Sequence, residues 1–288
     1  MKRLLRLAAG ILVILQAIAA GLAYRSPEAP PLQVFAGSAT KPALEEAATA
    51  FRDETGIPVD LVLGGSGYVL SQLKLSRRGD VYFPGSSDFM EQAKRDGVVD
   101  PESERIVAYL VPAINVPLGN PKGIRSLRDL LRPGLRIAIA NPEAVCVGLY
   151  AVEIVESAFS SEELEQFRAN LVNYTGSCAQ TAAVVALRQA DAVLGWRVFS
   201  FWEPERIETV PLRAPEIRRI GYLPAAVARF SRQPKSAARF IDFLTSERGR
   251  AIFRRHHYFV SPEEAFTWIG ETKPVGGEYR LAEPWRAR

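Results

Sequence analysis

The sequence is poor in the residues that hold metals or act as nucleophiles, with two cysteines and two histidines among 288 residues. It has no Cys-x-x-Cys pair, and His256 and His257 are neighbours in a basic stretch, so a zinc site is not expected. It also lacks the Gly-x-Ser-x-Gly turn of α/β-hydrolases and the phosphate-binding loop of nucleotide hydrolases. We predict that the protein is not an enzyme. The alternative is a nucleophilic Cys146 or Cys178 with a distant histidine as base.

The sequence also lacks a large excess of charge of either sign. The formal net charge is +4, and Lys2, Arg3 and Arg6 at the N-terminus carry three of these positive charges. Because the remainder is nearly neutral, the composition gives no argument for binding nucleic acid. The 48% apolar and 24% charged residues are typical of a globular protein, and the length suffices for two modest domains.

The N-terminus has the pattern of an export signal. A basic start, Met1-Lys2-Arg3, precedes the stretch Leu4 to Ala23. This stretch has an apolar centre, contains no acidic residue and ends in small residues. We predict a signal peptide at 1–23 and a stiff proline-rich linker at 24–31, and therefore a periplasmic or extracytoplasmic protein. An uncleaved membrane anchor is the alternative, since the run nearly reaches spanning length.

Two strand–turn–helix units in the first third of the chain place a serine where a helix begins. Leu32 to Ala36 reads as a strand before the turn that contains Ser38, and Val59 to Leu63 reads as a strand before Gly-Gly-Ser-Gly with Ser66. Free N–H groups at a helix start, beside a serine hydroxyl, make an anion-binding cradle. For the Gly-Gly-Ser-Gly motif taken alone, an ordinary Gly/Ser turn is the alternative.

Two further turns, near Val147 and Cys178, occupy the corresponding position in the middle of the chain. Strands that alternate with helices predict parallel sheets with crossover helices. Ligands of such sheets bind beyond the carboxyl ends of the strands. If each half of the chain forms its own sheet, the four helix starts can face one another across a cleft.

A series of segments follows one order and spacing: Val34–Ser38, Phe51–Val59, Gly64–Gly67, Gly79–Val81, Ser126–Leu130, Ile137–Glu143, Ala190–Ala192 and Ala238–Leu244. In these segments the sequence resembles the periplasmic molybdate-binding proteins, which are substrate-binding components of ABC importers. The resemblance implies an α/β, two-lobed type II periplasmic binding protein fold. Each lobe is then a mixed, mostly parallel sheet flanked by helices, and two crossover strands form the hinge.

The resemblance covers residues 32–259 and suggests how the chain is divided. We expect lobe 1 at 32–113 and 216–260, lobe 2 at 114–215, and a C-terminal tail at 261–288.

The resemblance also implies a site made of uncharged donors. The two serines of the family fall on Ser38 and Ser66, two backbone N–H donors fall on Val147 and near Cys178, and a tyrosine falls on Trp196. Such donors suit a fully deprotonated tetrahedral anion, molybdate or tungstate, because it offers only acceptors. The implied protein is a monomer without a cofactor. It delivers a small oxyanion to the membrane permease of an ABC importer.

Two departures from the family pattern concern this site. Trp196 replaces the tyrosine, so its indole N–H can donate but cannot accept, and a purely structural role in the core is the alternative. Cys146 and Cys178 fall in the two turns of the second lobe, where we predict a disulfide that adds about 3–4 kcal/mol. The alternatives are reduced cysteines that touch a soft metal or metalloid ligand, or unpaired buried thiols. For the whole chain, a sensor module of the same fold is a further alternative.

Overall fold

The computed structural model describes residues 30–285. The predicted signal peptide and all but the last two residues of the predicted linker lie outside this range. The strands are β1 Leu32–Gly37, β2 Val59–Gly64, β3 Val81–Phe83, β4 Arg105–Leu110, β5 Pro112–Pro117, β6 Ile137–Ala140, β7 Leu171–Thr175, β8 Ala192–Trp196, β9 Ile207–Val210 and β10 Gly221–Val227. The helices are α1 Lys41–Thr55, α2 Ser66–Ser76, α3 Ser87–Arg95, α4 Cys146–Ala158, α5 Ser161–Ala169, α6 Cys178–Ala186, α7 Phe199–Trp202, α8 Pro234–Thr245, α9 Glu247–Arg255 and α10 Pro262–Ile269.

The strands form two five-stranded sheets, in the orders β2-β1-β3-β10-β4 and β7-β6-β8-β5-β9. In the first sheet β10 is antiparallel to both of its neighbours, and in the second sheet β5 is antiparallel to both of its neighbours. The other pairs are parallel. Each sheet therefore contains one reversed strand among strands of common direction, which is the two-lobed α/β architecture that the sequence predicts.

The chain passes between the sheets twice, from β4 to β5 and from β9 to β10. The apolar run 106–116 is divided between two sheets, with β4 in the first and β5 in the second. Pro112 has no N–H to continue a ladder, and it begins the strand of the second sheet. The expected lobe boundaries, 113/114 and 215/216, fall within β5 and within the 3-10 helix Ala214–Glu216.

Helices cover the sheets through apolar stripes. On α1 the buried residues include Leu44, Ala47 and Phe51, which recur at helical spacing, and Phe51 packs edge-on against Phe240 of α8 with 5.0 Å between ring centroids. The core of the first lobe continues without a break into the starts of α4 and α6 in the second lobe. The two lobes therefore meet at the helix starts that sequence analysis singles out.

The segment 271–285 packs across both lobes, an arrangement that sequence analysis does not predict. The hydroxyl of Ser87 on α3 donates to the carbonyl of Gly277 (2.6 Å), and Trp285 Nε1 donates to Glu156 on α4 (2.6 Å). The segment thus joins a helix of the first lobe to a helix of the second. Within residues 30–285, every helix falls short of the length or apolar character needed to cross a bilayer.

Candidate functional site

Two buried serines begin helical turns at one edge of the first sheet. Ser38 follows β1 and is 4% exposed, and Ser66 follows β2, opens α2 and is 1% exposed. Because β1 and β2 are parallel neighbours with Gly37 opposite Gly64, the two strands end side by side. A Cβ atom on Gly37 would lie 2.7 Å from Ser66 Oγ. The sheet register therefore brings the two predicted serines together.

Two cysteines open helices at the facing edge of the second sheet. Cys146 begins α4 after β6, and Cys178 begins α6 after β7; each is 1% exposed. Both are free thiols, and their sulfur atoms are 3.6 Å apart. A disulfide needs a sulfur–sulfur distance of about 2.05 Å. The structure thus brings the cysteines into contact as thiols, and the disulfide stays a prediction.

The lobes touch through the backbone of these helix starts. The N–H of Ala179 on α6 donates to Ser38 Oγ (3.2 Å), and the N–H of Gly67 on α2 donates to the carbonyl of Ala144 (2.8 Å). A Cβ atom on Gly65 would lie 2.7 Å from the carbonyl oxygen of Gly176, so this approach requires a glycine. The serines and the cysteines consequently lie in one buried interface between the lobes.

Gly85, in the turn between β3 and α3, connects the two sets of residues. Its N–H donates to Ser66 Oγ (3.0 Å), and a Cβ atom at this position would overlap the sulfur of Cys146. Nearby, the hydroxyl of Tyr82 donates to the carbonyl of Ser66 (3.0 Å). Gly85 is not among the site residues predicted from the sequence. The signal that could have identified it is a glycine-serine turn directly after a strand.

Trp196 borders the site on the side of the second sheet. It is the last residue of β8, is 0% exposed, and its ring lies edge-on to Tyr150 with 4.8 Å between centroids. Its indole N–H has no hydrogen-bond partner within residues 30–285 and faces the sulfur of Cys178, as does the backbone N–H of Val147. Two of the predicted anion donors, Val147 and Trp196, therefore converge on a sulfur atom.

The groups that meet here are electrically neutral. Burial raises the pKa of the Cys178 thiol well above its ordinary value, and the neighbouring Cys146 adds to this effect, although the N–H groups of Val147 and Trp196 oppose it. Burial likewise raises the pKa of Tyr82. In the described part of the chain, no cluster of three or more His, Cys, Asp or Glu side chains could hold a metal ion. The site offers hydroxyl, thiol, indole and backbone N–H groups.

Comparison with known proteins links the fold to solute capture. Residues 32–259 match the family model described as bacterial extracellular solute-binding protein. The molybdate-binding protein ModA of Mycobacterium tuberculosis is 26% identical over 221 residues, which cover 76% of this chain and 80% of the relative. A sulfate-binding protein of Synechococcus elongatus is 24% identical over 230 residues, which cover 72% of this chain and 65% of the relative.

Solved structures show the same fold. The periplasmic molybdate-binding protein of Azotobacter vinelandii superposes with a TM-score of 0.68 at 20% identity and covers 80% of this chain and 99% of its own. The sulfate-binding protein SubI of Mycobacterium tuberculosis superposes with a TM-score of 0.73 at 16% identity and covers 86% of this chain and 93% of its own.

Proposed function

The chain belongs to the family of bacterial extracellular solute-binding proteins, and from this premise we propose that it captures a small tetrahedral oxyanion, molybdate or tungstate, between its lobes. It is a periplasmic transport component and not an enzyme. The bound anion would be handed to the membrane permease of an ABC importer. Relatives named for molybdate and for sulfate support an oxyanion as the solute.

The observation that carries the proposal is the meeting of two serine hydroxyls with two helix starts in one uncharged, buried site. Ser38 and Ser66 come from the first lobe, and the first turns of α4 and α6 come from the second. Each helix start presents partial positive charge and N–H donors to an anion. Because the donors are neutral, an anion that still carries a proton would bring a donor without an acceptor and would bind less well.

Capture requires the lobes to separate and close again. In the closed arrangement the N–H of Ala179 donates to Ser38 Oγ, and the N–H of Gly85 donates to Ser66 Oγ. An anion entering between the lobes would take over these N–H groups, and both hydroxyl hydrogens would point to its oxygens. The crossovers from β4 to β5 and from β9 to β10 are the positions for a hinge.

The test is a calorimetric titration of the parent protein, Ser38→Ala and Ser66→Ala with molybdate, tungstate, sulfate and phosphate. We expect one anion per protein, and a tenfold to hundredfold loss of affinity in each variant, because a hydrogen bond to a charged group contributes about 1.5–3 kcal/mol. Ser157→Ala is the matched control, since this exposed serine on α4 bonds, among residues 30–285, only to the carbonyl of Glu153 in its own helix (2.6 Å).

Two results would count against the proposal. If Ser38→Ala and Ser66→Ala bind molybdate as tightly as the parent does, the anion site lies elsewhere. If the parent protein binds neither molybdate nor tungstate, the solute is a different one.

A further inference from the structure

Two thiols and one unpaired indole N–H meet at the centre of the interlobe site. The sulfur atoms of Cys146 and Cys178 are 3.6 Å apart and buried. The N–H of Trp196 faces Cys178 Sγ without a hydrogen-bond partner among the described residues, and the N–H of Val147 faces the same sulfur. Burying an N–H group without an acceptor is costly. The unpaired indole N–H of Trp196 therefore points to a ligand that is bound at the sulfur atoms and brings an acceptor with it.

The distance between the sulfurs suits a single thiophilic atom bonded to both. With a bond of about 2.3 Å to each sulfur, an atom between them would subtend an angle of about 100° across the observed 3.6 Å. This is the angle of a pyramidal or tetrahedral centre. A linear two-coordinate ion such as Cu(I) would need sulfurs about 4.6 Å apart at the same bond length.

The surroundings favour a neutral ligand over a metal cation. A cation binds thiolates, so two protons would have to leave a buried site in which burial raises the pKa of the Cys178 thiol. The neighbouring groups are hydroxyls, amides and aromatic rings, and no third thiol, imidazole or carboxylate completes a coordination shell within residues 30–285. A trivalent metalloid hydroxide needs no separate base, because each hydroxide that it loses takes up a thiol proton and leaves as water.

We propose that Cys146 and Cys178 together capture a neutral trivalent metalloid hydroxide, As(OH)3 or Sb(OH)3, in the solute-binding cleft. This proposal depends on the proposed function in one respect only, which is that it places the ligand in the same cleft between the lobes. Two S–H and two As–O bonds break, two As–S and two O–H bonds form, two water molecules leave, and the oxidation state of arsenic is unchanged. The third hydroxyl stays on arsenic and gives the N–H of Trp196 an oxygen to bond.

The test uses protein purified from the periplasmic fraction, reduced, and mixed with arsenite. Intact mass measured under native conditions should show one arsenic per chain with loss of two waters, and arsenite should protect both cysteines from alkylation by iodoacetamide. Cys146→Ser and Cys178→Ser should each bind arsenite at least roughly a hundredfold more weakly, because one thiol alone loses the advantage of chelation. Ser157→Ala should behave as the parent, and a far-UV spectrum checks the folding of each variant.

Molybdate titration of the same samples separates the two proposals. Capture of arsenite by a protein that ignores molybdate would support the dithiol site and reject the oxyanion assignment. Binding of molybdate without protection of the thiols by arsenite would overturn the dithiol proposal and leave the proposed function standing. A disulfide between Cys146 and Cys178 in all of the protein taken from the periplasm without reductant would also overturn it.

Discussion

Gly85 has no side chain, and the sulfur of Cys146 fills the space where one would lie. We predict that Gly85→Ala lowers the free energy of unfolding by about 1–3 kcal/mol, the usual cost of overpacking. In a Cys146→Ala background the cost should fall, because the Cβ atom of residue 146 is 3.5 Å away, an ordinary contact distance.

Urea unfolding of the parent, both single variants and the double variant measures this coupling as a double-mutant cycle. Strictly additive changes would contradict a direct contact between Gly85 and the Cys146 sulfur.

Single residues of the site were predictable to different extents. Ser38 and Ser66 can be singled out from the sequence, because a glycine-serine turn after an apolar strand is a local pattern. Gly85 lies in a similar turn, but its contact with the Cys146 sulfur cannot be inferred from the sequence. The role of Tyr258 cannot be inferred either, because it too depends on a distant partner. The hydroxyl of Tyr258, for example, donates to the carbonyl of Ala39 (2.6 Å), 219 residues away in the chain. Local pattern identifies helix starts, and only the fold shows what packs against them.

At the scale of elements, N-cap hydrogen bonds stabilise the helix starts that form the site. Ser177 precedes α6, and its Oγ accepts from the N–H of Gln180 (3.1 Å); Ser160 caps α5 in the same way, accepting from Glu163 (3.2 Å). Both Ser177→Ala and Ser160→Ala should cost about 1 kcal/mol of stability, as loss of an N-cap usually does.

Only Ser177→Ala should also weaken binding of the solute, because α6 brings Cys178 and Ala179 into the site and α5 does not reach it. Urea unfolding and a ligand titration on both variants test this difference. Equal ligand affinities in the two variants would mean that the start of α6 is not part of the site.

Elements with strong local signals were predicted well. The two strands predicted at 32–36 and 59–63 are present as β1 and β2, and a helix begins at Ser66 as expected. The apolar run 106–116 is divided between β4 and β5, a division that the sequence does not indicate because an apolar run does not say which sheet it joins. The placement of α10 and of the segment after it depends on contacts with both lobes, which no local pattern records.

At the scale of the whole molecule, one arginine joins the lobes behind the site. Arg219, in the crossover before β10, donates from Nη2 to Asp88 on α3 (3.0 Å) and from Nε to Glu153 on α4 (2.7 Å). Its guanidinium also lies 4.1 Å from the centre of the Tyr150 ring, which packs on Trp196. Arg219 and both carboxylates are largely shielded from solvent.

We predict that Arg219→Met lowers the free energy of unfolding by about 3–5 kcal/mol, because it leaves buried carboxylates without their partner. Arg128→Met is the matched control: Arg128 pairs with Glu163 at the surface, and its loss should cost less than about 1 kcal/mol. Urea unfolding measures both. Similar losses in the two variants would contradict a special role for the buried network.

The two-lobed architecture as a whole was predictable from the alternation of strands and helices together with the family resemblance. The closed arrangement of the lobes was not predictable from the sequence. It depends on Arg219, on the segment 271–285 and on the contact of Ala179 with Ser38. Each of these joins parts of the chain that are far apart in sequence.

The position of Trp196 has a practical consequence. The chain has four tryptophans, and this one is held in an apolar setting with its indole N–H against a sulfur atom. Nearby thiols quench indole fluorescence, so the emission of Trp196 should brighten or shift in wavelength whenever the lobes part or the sulfur forms a new bond. The protein therefore carries an intrinsic optical reporter of its own occupancy, and stopped-flow emission could follow solute capture without a label.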